Sequence, residues 1–130
     1  MVDKKELRVG NIILREYSVI PLTVMEIKEN TVRVSYTSDK PRTALIEYEN
    51  LAPICLTHEI LEKLPQFTEY PFSDEDGCYF EWCKAKDFCL LSGDNNDVYI
   101  CDSPDIRFKY LHQLQNLIYT ITGNELEIKL

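Results

Sequence analysis

The chain is poor in the materials of most catalytic and ligand-binding motifs. It has four glycines in 130 residues, and neither G-x-x-x-x-G-K nor G-x-G-x-x-G occurs, so no phosphate-cradling loop is expected. H-E-x-x-H is absent as well, and the two histidines, His58 and His112, stand far apart. The five cysteines, at 55, 78, 83, 89 and 101, are odd in number and never form C-x-x-C. That spacing argues against both a disulfide framework and a zinc site and reads as reduced thiols. No apolar run approaches the ~20 residues of a membrane span, and Met1 to Glu6 lacks the apolar core of a signal peptide. A cytoplasmic location without membrane attachment is therefore expected. Basic residues are scarce, 14 against 22 acids, and nowhere clustered, so direct nucleic-acid binding is not expected. No cofactor and no metal is expected either.

What is present is a core. Hydrophobic residues make up 45% of the chain, with eight Tyr, five Phe and one Trp, which excludes disorder and suits one compact unit or two small lobes. The net charge of -8 is unevenly placed. Residues 1–56 carry eight acids and eight bases, whereas Glu69 to Asp105 holds ten acids against Lys84 and Lys86.

The N-terminal third alternates in the manner of strands. Leu7 to Leu14, Val19 to Lys28, Thr31 to Tyr36 and Thr43 to Tyr48 are predicted strands, with Glu29-Asn30 a hairpin turn and a short fifth strand near Leu51 to Ile54. Gly10 marks a bulge or a close approach of another group. Thr57 is a suitable N-cap for a short helix that Pro65 ends, and Thr68 to Gly77 reads as a connecting loop. Short apolar runs at Tyr79 to Cys83, Phe88 to Ser92 and Val98 to Cys101 predict a second antiparallel sheet. A turn centred on Asn95 pairs Cys89 with Cys101 and Leu91 with Tyr99; a two-residue turn at Ala85-Lys86 pairs Trp82 with Cys89 and Phe80 with Leu91. Phe80, Trp82, Cys89, Leu91, Tyr99 and Cys101 then share one face. Asp105 to Tyr110 is best read as a strand, because a helix there would set Arg107 in an apolar stripe.

A helix from Tyr110 to Thr122 follows. Leu111, Leu114, Leu117, Ile118 and Ile121 fall on one side, predicted to seat on the aromatic face of the second sheet, and Gly123 suits a left-handed C-cap. Leu126, Ile128 and Leu130 alternate with charged residues and predict a final strand. The other side of the helix, His112, Gln113, Gln115, Asn116, Tyr119 and Thr120, lacks the charges of an ordinary solvated face. Amides and hydroxyls suit a covered surface, since they bond without the cost of burying charge. The cover is the N-terminal lobe or a partner chain.

Other candidate chemistry is thin. Cys89 and Cys101 lack two further ligands for zinc. His112 has no recognisable nucleophile motif to serve, although Cys78 or Cys83 are conceivable partners for a hydrolase. The acidic turns at Asp74 to Gly77 and Asp94 to Asp97 lack the spacing of a calcium loop.

Three stretches, Glu6-Leu7-Arg8-Val9-Gly10-Asn11, Pro53-Ile54-Cys55-Leu56-Thr57-His58-Glu59-Ile60-Leu61, and Tyr110-Leu111-His112-Gln113-Leu114-Gln115-Asn116-Leu117 with Thr122-Gly123-Asn124-Glu125-Leu126, resemble a family of small uncharacterised proteins. These are typically encoded in Bacteroidetes genomes, prophages and other mobile elements. The resemblance implies a bacterial or phage context and supplies no catalytic residues.

The expected fold is α+β, with a small β-barrel-like meander over residues 1–56, a short helix and connecting loop over 57–77, and an antiparallel sheet with helix and closing strand over 78–130. The leading functional expectation is a non-enzymatic interaction module that binds another protein or itself. Its candidate face is His112, Gln113, Gln115, Asn116, Tyr119 and Thr120. An acidic nucleic-acid mimic that inhibits a DNA-binding protein, and a small cysteine/histidine hydrolase, are the alternatives.

Overall fold

The computed structural model describes residues 2–36, 42–65, 67–74, 77–82, 89–92, 98–100 and 103–128, with side chains described at 2–36, 42–57, 59–65 and 108–128. Strands β1 (Ile12–Arg15), β2 (Leu22–Ile27), β3 (Thr31–Tyr36), β4 (Thr43–Glu47) and β5 (Leu51–Ala52) are followed by helix α1 (His58–Glu62). Strands β6 (Phe67–Asp74), β7 (Gly77–Trp82), β8 (Cys89–Ser92), β9 (Val98–Ile100) and β10 (Ser103–Phe108) precede helix α2 (Leu111–Thr122). The fold is α+β. The chain divides into two compact units, Met1–Ile54 with Tyr110–Glu125, and Cys55–Lys109 with Leu126–Leu130. α2 thus groups with the N-terminal strands.

The first unit is built on a curled antiparallel sheet of order β4-β3-β2-β1-β5. Alternation decides its inner face: Ile13, Leu22, Val24, Val32, Val34, Ile46 and Leu51 are buried, joined by Val2 and Leu7. A two-residue turn at Glu29-Asn30 closes the β2–β3 hairpin, with Lys28 N donating to Thr31 O at 2.9 Å. The β2–β3 register shifts between Val24 and Glu26, leaving Met25 as the extra residue of a bulge, which increases local twist. β4 and β5 are the outer strands and no ladder joins them among the described residues, so the sheet is open where the sequence predicts a barrel-like meander.

Two predicted strands differ at this end of the chain. Leu7 to Leu14 begins instead with a 3-10 turn, Lys4–Glu6, whose N-terminus is capped by the Asp3 carboxylate. Gly10 then adopts φ 99°, and only Ile12 to Arg15 enter the ladder. Val19 and Ile20 stay outside β2 because Pro21 lacks the N–H that would continue it.

The second unit carries an antiparallel sheet of order β10-β9-β8-β7-β6. β6 is a correction, since residues 68–77 read as loop. Pro71 masked it: proline is tolerated on an outer strand at an irregularity, and β6 is outermost, with its register broken between Glu69 and Ser73. β8 and β9 pair Leu91 with Tyr99, as expected, and Leu90 with Ile100. The neighbouring register differs by one residue, with Phe80 opposite Leu90 and Glu81 opposite Cys89. One residue of slip exchanges faces. Phe80 therefore shares a face with Leu90 and Ile100, while Leu91 lies with Tyr79 and Tyr99, and the expected six-residue face does not form. Cys101 lies outside the described residues.

α1 begins as its cap predicts, Thr57 Oγ1 accepting from Ile60 N at 3.3 Å, and Leu61 and Leu64 are buried. The predicted closing strand does not appear among the described residues: 123–128 carry no strand and neither sheet includes them, and 129–130 lie outside the described residues. Alternation there records burial alone, with Leu126 inside and Glu127 exposed.

Candidate functional site

α2 starts at Tyr110, where Gln113 Oε1 accepts from the Tyr110 N–H at 3.1 Å, and stops at Gly123, φ 73°, whose N–H donates to Tyr119 O at 2.8 Å. Its buried residues are Leu111, His112, Leu114, Gln115 and Ile118. At 100° per residue these span an arc of about 160°, turned toward the amide side of the predicted stripe. Ile121, expected inside, is 54% exposed.

The amide side is bonded to the chain's own N-terminal segment. Gln115 Oε1 accepts from Ile12 N at 2.8 Å, and its Nε2 donates to Gly10 O at 3.1 Å. One side-chain amide thereby does for Gly10 and Ile12 what a neighbouring strand would do, satisfying a donor and an acceptor two residues apart. Asn116 Nδ2 donates to Glu6 O at 2.6 Å, and its Oδ1 accepts from Asn11 Nδ2 at 2.7 Å and Arg8 Nε at 3.2 Å. Asn11, fully buried, accepts from Arg8 N at 2.8 Å. These bonds explain the missing charges: ionised groups here would be desolvated against backbone amides.

Arg8 closes the arrangement at its rim. Its guanidinium grips Glu125 with two bonds, 2.5 and 3.0 Å, and lies 4.1 Å from the Tyr119 ring centre. The Glu125 hydrogen bond raises the Arg8 pKa further above its ordinary value. Gly10 faces the same carboxylate, and a Cβ there would meet Glu125 Oε1 at 2.9 Å.

His112 is 1% exposed and lies parallel to the Tyr110 ring at 5.8 Å. Nε2 faces Glu6 Oε2 at 3.3 Å and Nδ1 has no partner. Burial pushes its pKa below the ordinary value, against the opposing pull of Glu6. Among the described residues neither ring nitrogen bonds to a thiol. Cys55 is exposed, while Cys83 and the side chain of Cys78 lie outside the described residues. The six expected face residues therefore have separate roles. His112, Gln115 and Asn116 are taken up by the N-terminal segment, Gln113 holds the helix start, Tyr119 carries Arg8, and exposed Thr120 donates to Asn116 O at 2.8 Å.

No family model, no curated protein and no solved structure matches the chain. Its geometry is therefore the whole of the structural basis for a functional reading. Among the described residues no group of three or more His, Cys, Asp or Glu could hold a metal ion, and no helix is long and apolar enough to cross a membrane. A cleft of about 340 Å³ is lined by Glu29, Asn30, Thr31, Glu47, Tyr48 and Glu49. The neighbouring Glu47 carboxylate raises the Glu49 pKa, and Lys4 Nζ lies 5.5 Å from the Tyr48 ring centre.

The feature missed from sequence is the β1–β2 loop. Tyr17 is 100% exposed, Val19 90% and Ile20 54%. The loop is nonetheless fixed: Glu16 N donates to Asn50 O at 2.7 Å, Ser18 N to Arg15 O at 3.0 Å, and Ile20 N to Ser18 Oγ at 3.2 Å. Tyr17 has φ 64°, a left-handed conformation that costs a bulky residue about 1–2 kcal/mol. Apolar residues next to Pro21 read as strand; their alternation carries no sign that both neighbours face water.

Proposed function

We propose that this protein is a non-enzymatic interaction module, and that the β1–β2 loop is its contact with another protein. The observation that carries the reading is the run Tyr17, Val19, Ile20, three large apolar side chains within four residues, held outward by backbone bonds. Single exposed apolar residues are ordinary, but a contiguous group on a rigid loop marks a contact surface. Tyrosine on a hydrogen-bonded loop is well suited to anchor one, because its large ring supplies contact area at the cost of ordering only two side-chain torsions. The α2 amide face is a weaker candidate, since its buried members bond within the chain. A bacterial cytoplasmic setting of phage or mobile-element origin belongs to this reading and rests on the sequence resemblance.

The acidic-mimic alternative requires the carboxylates of residues 69–105 on one surface. Glu69 pairs with Phe80 and Thr68 with Glu81, so Glu69 and Glu81 fall on opposite faces, which lends it no support. For the hydrolase alternative, no thiol among the described residues bonds to His112.

The test is retention of a host or phage protein by the immobilised chain, compared with the Tyr17→Ser/Val19→Ser/Ile20→Ser variant. Wild type retains a partner that the variant loses while unfolding at the same temperature or higher. Equal retention by both, or none by wild type, defeats the reading.

A further inference from the structure

The outer strand β4 carries a second contact. Along the β3–β4 ladder Tyr36 N donates to Arg42 O, and Tyr36 and Arg42 extend the register Val34↔Ala44 and Val32↔Ile46. In an antiparallel ladder hydrogen-bonded pairs alternate with non-bonded ones. Arg42, Ala44 and Ile46 therefore spend their backbone groups on β3, and Thr43, Leu45 and Glu47 direct theirs outward. β4 is a terminal strand of its sheet, and it carries no proline, no lysine and no bulge within Thr43-Ala44-Leu45-Ile46-Glu47. Leu45 adds an apolar side chain that is 53% exposed.

We propose that a second copy of this chain pairs with β4, antiparallel, about a two-fold axis at Leu45. The sequence of the strand selects that occupant. Centring on Leu45 sets Leu45 against its symmetry mate and Thr43 against Glu47 of the other copy. The carboxylate then meets a hydroxyl donor, and no like charges oppose one another within the paired strands. The outward groups of Thr43, Leu45 and Glu47 are those that a hydrogen-bonded pairing in this register uses, and the arrangement is isologous, as a closed dimer requires. A five-residue strand buries less than the ~1,200 Å² typical of stable interfaces, so the dimer is weak and concentration-dependent. This contact is separate from the Tyr17 loop, and either stands without the other.

Sedimentation of the purified full-length chain from micromolar to millimolar concentration tests it. A monomer–dimer equilibrium is expected. Thr43→Glu opposes two carboxylates twice by symmetry and weakens the dimer by about tenfold, and adding Glu47→Lys to the same chain restores it. Met25→Lys, on an inner strand, leaves the equilibrium unchanged, as does the triple loop variant. A chain that stays monomeric throughout, or a dimer indifferent to Thr43→Glu, overturns the proposal; a dimer lost only in the loop variant transfers self-association to that loop.

Discussion

Replacing Gln115 by Leu tests whether one amide fastens α2 to the N-terminal segment. Leucine keeps most of the volume but removes the acceptor for Ile12 N and the donor for Gly10 O. Two partly buried backbone groups are then left unsatisfied, at about 1–2 kcal/mol each, or about 2–4 kcal/mol in all. Urea unfolding followed by helical circular dichroism measures the total. Residue-resolved amide exchange locates it, because the Ile12 proton loses its acceptor and exchanges about 30- to 1,000-fold faster. Gln115→Glu sharpens the test. A carboxylate still accepts from Ile12 but opposes Gly10 O, so burial raises its folded pKa above the unfolded value. That variant approaches wild-type stability below about pH 4.3, where the acid is protonated and can donate, and loses it as pH rises through the folded pKa. If Gln115→Leu leaves both the unfolding free energy and Ile12 exchange unchanged, the amide does not hold these segments together.

The two positive-φ glycines should separate steric from conformational cost. Gly123→Ala, with nothing within 4 Å of the new Cβ, should lose only the about 1 kcal/mol of the left-handed backbone. Gly10→Ala should lose more, and Glu125→Ala in the same chain should return the excess; equilibrium unfolding of the four variants decides. For Arg8 and Glu125, 26% and 47% exposed, a double-mutant cycle should give a coupling of about 0.5–1 kcal/mol that shrinks in molar salt. His112 is held below its ordinary pKa of 6.5 by burial, so the unfolded chain binds its proton first. Its contribution to stability is complete above that pH and declines as pH falls through it toward the folded pKa. His112→Phe should remove this part of the pH dependence as pH falls through 6.5 toward the folded pKa, and a wild-type ring seen by NMR to titrate at or above 6.5 would contradict the cause given.

Local chemistry made several elements readable. Thr57 as cap, Gly123 as stop and the alternation of Thr31 to Tyr36 each depend on neighbours in the chain, and each stands in the structure at its expected place. What escaped depends on partners far away. Pro71 disguises β6 because its tolerance comes from being outermost, a property of the whole sheet. The Phe80 register turns on a single residue of loop geometry. Gln115 and Asn116 were legible as a covered face, yet the cover, Glu6 to Ile12, bears no mark beyond Gly10-Asn11. Arg8 and Glu125 look like ordinary surface charges until they are seen 2.5 Å apart.

The bonds that complete the first unit join residues made far apart in the order of synthesis. Ile12 and Gln115 are 103 positions apart, and Arg8 and Glu125 are 117. At ribosomal rates the N-terminal strands wait about 5–20 s for the helix that covers Gly10 to Ile12. In that interval residues 55–109 emerge, and the amide-bonding positions of Glu6 to Ile12 stand without their partners on α2. Chains released before α2 is made would keep those positions unpaired, a difference a chaperone or protease could read.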